Sequence, residues 1–94
     1  MPTKLSNQEI QNQVGSLENW TFIENAIHKT FALPTFQNAI DFVRKVADLA
    51  EAEHHHPDFF IQYNKVTLTL STHSVGGVSD KDMEMARKID GIVG

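Results

Sequence analysis

The sequence predicts an α+β fold, a two-layer sandwich in which helices cover one face of a four-stranded antiparallel sheet, in the order α-β-β-α-β-β-α. Two segments pair short runs of aromatic and β-branched residues around a turn. Between them, a long stretch repeats its apolar residues at helical spacing. Capping-box patterns near both ends of the chain add the outer helices.

The first helix starts at Leu5-Ser6-Asn7-Gln8-Glu9-Ile10. Ser6 caps, Glu9 returns the bond three residues on, Leu5 and Ile10 form the hydrophobic staple, and Gly15 supplies a left-handed stop. Trp20 to Ile23 and Ile27 to Ala32 read as a β-hairpin turning at Glu24-Asn25-Ala26. Pro34-Thr35 then punctuates the chain. Phe36, Ile40, Val43, Ala47 and Ala50 recur at spacings of four and three, and Phe42, Val46 and Leu49 widen that stripe, as suits a helix lying on a sheet. It ends near Glu53 or His54, because Pro57 disfavours helical geometry at His56.

Phe59 to Tyr63 and Lys65 to Thr72 form the second strand pair. Val66, Leu68 and Leu70 alternate with Thr67, Thr69 and Ser71, giving one apolar and one polar face. Gly76-Gly77 marks a flexible loop. Ser79-Asp80-Lys81-Asp82 opens the last helix, whose Met83, Ala86 and Ile89 face inward and whose stop is Gly91. A sheet of this kind has two open edges, and pairing one across a two-fold axis hides it, which predicts a homo-oligomer.

At 94 residues the chain is expected to form one domain, residues 1–94. The net charge of −4 and the lack of any Lys/Arg run argue against a nucleic-acid or membrane partner held by charge. With no cysteine there is neither a disulfide framework nor a thiolate zinc site. No apolar stretch approaches the roughly 20 residues of a membrane span, and the N-terminus lacks a signal-peptide layout. The expectation is a soluble, cytoplasmic protein.

Five histidines occur, at 28, 54, 55, 56 and 73. Consecutive residues point about 100° apart on a helix and to opposite faces of a strand, so the trio 54–56 does not converge on one ion. A metal site built from His55 or His56 with His73 and Asp82 is the weaker reading. Acid–base work is the alternative, since imidazole both gives and takes protons near neutral pH. His55 and His56 sit at a helix end on a turn stiffened by Pro57. His73 closes a strand that returns beside Phe59 to Tyr63, and Asp82 is placed to orient one imidazole.

Spacing alone leaves bland readings open for each. Histidine clusters occur on surfaces without function, His73 beside a Gly-rich loop reads as exposed, and Asp82 reads as the partner of the Ser79 cap. His28 reads as structural or exposed, and His54 as a partner of the helix dipole. Trp20 and Phe31 read as core, and Tyr63 as core or as an aromatic wall.

Taken together, Glu51, His55-His56-Pro57, Tyr63, His73 and Asp82, at their intervals of three, five, nine and eight residues, resemble the signature of the pterin-4a-carbinolamine dehydratases. Trp20, Asn25-Ala26-Ile27, Phe36, Val46-Ala47, Tyr63-Asn64-Lys65-Val66, Leu70-Ser71-Thr72-His73 and Gly77 extend the resemblance over roughly residues 17 to 92. It implies the same sandwich, assembled into dimers or tetramers by joining sheets and packing helices. The implied reaction is loss of water from 4a-hydroxytetrahydropterin to give quinonoid dihydropterin, which regenerates the pterin of aromatic amino-acid hydroxylases. No metal or bound cofactor is implied; the pterin is the substrate.

The resemblance places His55, His56 and His73 at the proton-transfer and substrate-holding positions, with His56 and His73 nearest the leaving hydroxyl and N5 and with His55 holding the ring. Asp82 supports the site, and Glu51, one turn before His55, braces that histidine. Phe59 stands where the family commonly carries Trp, which keeps an aromatic wall and removes an indole donor; His54 is an extra histidine with no role. An animal relative doubles as a dimerisation cofactor for a homeodomain transcription factor through its helix face, so a protein-binding module is the rival reading. A relative acting on another pterin is the third.

Overall fold

The computed structural model describes residues 3–93. The elements are α1 (Asn7–Gly15), β1 (Thr21–Ile23), β2 (Ala26–Ala32), α2 (Phe36–Glu53), β3 (Asp58–Gln62), β4 (Lys65–Leu70), a 3-10 turn (His73–Val75) and α3 (Asp80–Val93). The sheet is antiparallel with strand order β1-β2-β4-β3, and the helices pack on one face, as the α-β-β-α-β-β-α pattern predicts.

Side-chain alternation in the two central strands sets the layers. Ile27, Phe31, Val66, Leu68 and Leu70 are buried on the helix side, where they meet Ala39, Phe42, Val46 and Ala50 of α2 and Met83, Ala86 and Ile89 of α3. His28, Thr30, Thr67 and Thr69 face outward and bond across strands: His28 Nδ1 lies 2.9 Å from Thr69 Oγ1, and Thr30 Oγ1 2.8 Å from Thr67 Oγ1. Trp20 and Phe31 are core residues, 4% and 6% exposed. The Trp20 indole N–H donates to Asp90 of α3 at 3.1 Å, and the same carboxylate pairs with Lys29 of β2 at 2.9 Å, which fastens the end of α3 to the sheet.

The capping box at Ser6 and Glu9 forms as the sequence predicts. Its helix, however, is not stopped by a left-handed Gly15. Gly15 is the last helical residue, and Ser16, in right-handed geometry, closes the turn by donating its hydroxyl to the Gln13 carbonyl at 2.7 Å. Nor does Gly91 stop α3, which runs on to Val93 because Ile92 still packs against the core. In α2, Thr35 caps and His54 ends the helix, but the buried seam is Ala39, Phe42, Val46 and Ala50. Ala50 of the predicted stripe and the widening Phe42 and Val46 belong to that seam, whereas Phe36, Ile40, Val43 and Ala47 lie one residue, or about 100°, further round; Ile40, Val43 and Ala47 are half-buried and Phe36 is 49% exposed.

The second hairpin turns at Tyr63-Asn64, so β3 is Asp58–Gln62 and β4 is Lys65–Leu70. Tyr63 is neither core nor strand: it occupies the left-handed region at φ 53 and is 71% exposed. Gly76-Gly77 forms a hydrogen-bonded turn, with Gly76 at φ 68 and with the Thr72 N–H donating to the Gly77 carbonyl at 2.7 Å. No helix among the described residues is long and apolar enough to cross a membrane.

Candidate functional site

One end of the sandwich gathers four chain segments: the C-terminus of α2, the start of β3, the exit of β4 and the N-terminus of α3. The registry makes this so. Asp58 pairs with Thr69, so His56-Pro57 and Thr72-His73 lie at the same end of the β3–β4 ladder. At that end Thr3 and Leu5 brace α3, since Leu5 N–H donates to the Val78 carbonyl at 2.9 Å and Thr3 N–H to Asp80 Oδ1 at 2.9 Å.

His54 performs the turn. As the left-handed cap of α2 (φ 53), it sends its N–H back to the Ala50 and Glu51 carbonyls. The His55 N–H then donates to the Ala50 carbonyl at 3.1 Å, and the buried Pro57 fixes the exit into β3. The reversal separates the two neighbouring imidazoles. His55 turns inward, its side chain 12% exposed, with Nε2 2.5 Å from Oδ1 of Asp82. His56 turns outward, 60% exposed, with Nε2 2.5 Å from Oε2 of Glu51. His73 opens the 3-10 turn beyond β4, is exposed, and makes no side-chain hydrogen bond among the described residues.

Asp82 is fully buried at the first turn of α3. Its Oδ2 accepts the Ser79 N–H at 2.9 Å and the Thr72 hydroxyl at 2.8 Å, while Oδ1 faces His55. The two roles the sequence offers for Asp82 are therefore held by one side chain: one oxygen closes the cap and the other orients an imidazole. Buried polar groups require such saturation, because each unpaired donor costs about 1–3 kcal/mol.

Glu51 does not brace His55. One turn of helix puts Glu51 on the solvent side, where it meets His56 instead. The hydrogen bond from His56, and next its charge, holds the Glu51 carboxyl below the usual glutamate range. Nor does Tyr63 join the histidines. It lies at the far end of β3, five residues from the Pro57 end, a span of about 17 Å at strand rise. Phe59 faces the helix side opposite Leu68 and is 37% exposed.

A depression of about 500 Å³ opens on the outer face at the histidine end, lined among others by Ala26, His28, Asp58, Thr69 and Ser71. Among the described residues no group of three or more His, Asp or Glu side chains is placed to hold a metal ion. Chemically, the arrangement offers one half-buried, oriented imidazole and two exposed ones at the same end of the fold. Sequence reasoning assigned Thr72 no role at the site beyond its place in the resemblance before His73, and it offered His54 only as a helix end and dipole partner, since left-handed geometry leaves no mark in composition.

The chain matches the family model described as pterin 4 alpha carbinolamine dehydratase over residues 3–92. A Roseiflexus sp. (strain RS-1) protein provisionally named pterin-4-alpha-carbinolamine dehydratase is 52% identical over 93 residues, covering 99% of this chain and 100% of that one. A Sulfolobus acidocaldarius protein of the same name is 45% identical, covering 95% and 98%. Among solved structures, a transcriptional coactivator/pterin dehydratase from Brucella melitensis superposes with a TM-score of 0.93 at 36% identity, covering 98% of this chain and 100% of that one. A pterin dehydratase-like RuBisCO assembly factor of the alpha-carboxysome shares the fold, with a TM-score of 0.70 at 21% identity over 82% and 92%. A match spanning almost every residue, with relatives that align from end to end, makes this chain a member of the pterin-4α-carbinolamine dehydratase family.

Proposed function

We propose that this protein dehydrates a 4a-hydroxytetrahydropterin to quinonoid dihydropterin and water by histidine acid–base catalysis, in the cytoplasm, as the recycling partner of an aromatic amino-acid hydroxylase. The observation that supports the reading is the placement of an oriented His55 and the exposed His56 and His73 at the same end of the fold. The reaction asks for little more. One imidazolium protonates the 4a-hydroxyl, the C4a–O bond breaks with loss of water, and a neutral imidazole takes the N5 proton as the N5=C4a double bond forms. His56 and His73 are the two proton carriers, and His55 holds the pterin ring.

The test is the decay of enzymatically generated 4a-hydroxytetrahydropterin with wild type, His56→Ala and His73→Ala. Wild type outpaces spontaneous dehydration, and each substitution removes about 10²–10⁴-fold, the usual contribution of a general acid or base. A wild type no faster than the buffer refutes the proposal.

A second reading concerns protein contacts. Edge strand β3 is exposed along its whole length, with Phe60 at 63%, and α2 leaves Phe36, Ile40, Val43 and Ala47 partly uncovered. Apolar edges and flanks of this kind are normally covered by association. The proposed cover is a second copy of the chain, in a homodimer or homotetramer. The coactivator named for the Brucella melitensis neighbour gives a transcription factor as the rival occupant.

A further inference from the structure

Thr72 and Ser79 are 5% and 0% exposed and belong to no histidine, yet both are wired to one. Lys81 N–H lies 3.2 Å from Ser79 Oγ, Ser79 Oγ lies 2.6 Å from Thr72 Oγ1, and Thr72 Oγ1 lies 2.8 Å from Asp82 Oδ2. The direction of each proton follows from the two ends. A carboxylate only accepts, so the Thr72 hydroxyl donates to Asp82. Its single proton being engaged, Thr72 accepts from the Ser79 hydroxyl, and Ser79 accepts from the Lys81 N–H. Every proton in the chain points toward Asp82. With the Ser79 N–H also on Oδ2, that oxygen is occupied and Oδ1 is left for His55.

An imidazole nitrogen is a stronger base than a carboxylate oxygen, so the proton between His55 and Asp82 rests on Nε2. The lone pair of the neutral ring is then on Nδ1. That nitrogen has no hydrogen-bond partner among the described residues, and none of their buried side-chain nitrogens or oxygens lacks one, so Nδ1 reaches the surface. We infer that the Lys81–Ser79–Thr72–Asp82 chain is a tautomer lock: it keeps neutral His55 as the Nε2–H form and presents Nδ1 as the acceptor that meets the pterin, with Thr72 and Ser79 as positioning residues. His56 has no such lock. Its partner Glu51 is 77% exposed and has no side-chain donor behind it among the described residues, so water competes for both.

The second half of the inference, the pterin contact, rests on the dehydratase reading; the first half does not. The test combines ring ¹⁵N spectra of His55 with steady-state kinetics. Neutral wild-type His55 shows a protonated Nε2 and a bare Nδ1. Thr72→Val, close in shape but unable to donate, frees Asp82 to turn Oδ1 away from Nε2, which gives a mixture of tautomers and a kcat lower by about 10–100-fold, the cost of a misplaced group, with KM little changed. Thr72→Ser restores both readings. Should Thr72→Val fail to fold, Asp82→Asn decides: its amide can keep accepting from Thr72 and Ser79 while offering an N–H to Nε2, so His55 switches to the Nδ1–H form. An unchanged ¹⁵N pattern in Thr72→Val, or a retained Nε2–H in Asp82→Asn, overturns the lock whatever the kinetics. If the nitrogens shift as expected while wild type fails to dehydrate the pterin, the lock is upheld and the dehydratase reading falls.

Discussion

Replacing Asp82 separates two roles that the native side chain performs together. Asp82→Ala removes the acceptor of the Ser79 N–H, in a residue with no exposure, and the only side-chain partner of His55 among the described residues. The orphaned N–H costs about 1–3 kcal/mol and the lost hydrogen bond to a carboxylate about 1.5 kcal/mol more, so roughly 3 kcal/mol in all. At about 4–8 °C per kcal/mol for a domain of this size, Tm falls by about 12–24 °C. Asp82→Asn keeps an acceptor for both Ser79 and Thr72 and loses only the charge, at about 1 kcal/mol, or about 4–8 °C. Turnover does not follow stability. An amide in place of a histidine-orienting carboxylate holds the wrong tautomer, and that has a cost of up to about 10⁴-fold in kcat. Calorimetry beside the pterin-decay assay is expected to show Asp82→Asn nearly as stable as wild type and nearly as slow as Asp82→Ala. If Asp82→Asn turns over within about 3-fold of wild type, less than 1 kcal/mol in the barrier, Asp82 is a helix cap and the orientation argument fails.

Three further outcomes are expected. Tyr63→Asn relieves a left-handed strain at φ 53 and gives up little packing, so stability rises by up to about 1 kcal/mol in denaturant unfolding while turnover is kept; a loss of turnover returns Tyr63 to the site. Because Glu51 is held below the usual glutamate range in the folded chain, its pairing with His56 stabilises above that range and is lost as pH falls through the lowered value. In ¹³C titrations the Glu51 carboxyl therefore moves back up in His56→Ala, and no movement would break the pairing. Phe60→Lys on the exposed edge strand is expected to sediment as a smaller species than wild type, whereas a wild type that is itself monomeric refutes the proposed homo-oligomer.

The sequence carried the order of elements, both hairpins and the cap at Ser6, because each depends on neighbours along the chain. It did not reveal which of two adjacent stripes of α2 faces the sheet. Phe36-Ile40-Val43-Ala47 and Ala39-Phe42-Val46-Ala50 differ by one residue and are both apolar, and packing against β2, β4 and α3 decides between them. Gly15 and Gly91 misled for a related reason. A glycine permits a stop without requiring one, and a serine hydroxyl in one case and the packing of Ile92 in the other set the true ends. For the candidate site, the three histidines and Asp82 were legible as residues, and their place at one end of the sheet followed once the β3–β4 registry was known. Their pairing was not legible. Glu51 lies near both His55 and His56 along the chain, and only the left-handed His54 sends one ring inward and the other toward Glu51.

The pairing of His55 with Asp82 also explains why the site stands at this end of the sandwich. A buried carboxylate is unfavourable unless donors saturate it. The first turn of a helix supplies unpaired N–H groups and the positive end of the dipole, a low-cost place to hold such a charge. Asp82 occupies that position in α3, with the Ser79 N–H and the Thr72 hydroxyl as its donors. Folding therefore places an anion beneath the surface before any ligand arrives, and the imidazole that the end of α2 swings over it completes the set. The same atoms that start α3 orient His55, so helix stability and the orientation of that imidazole depend on one residue. His56 and Glu51, both exposed, have no such coupling: their pairing holds no helix start in place.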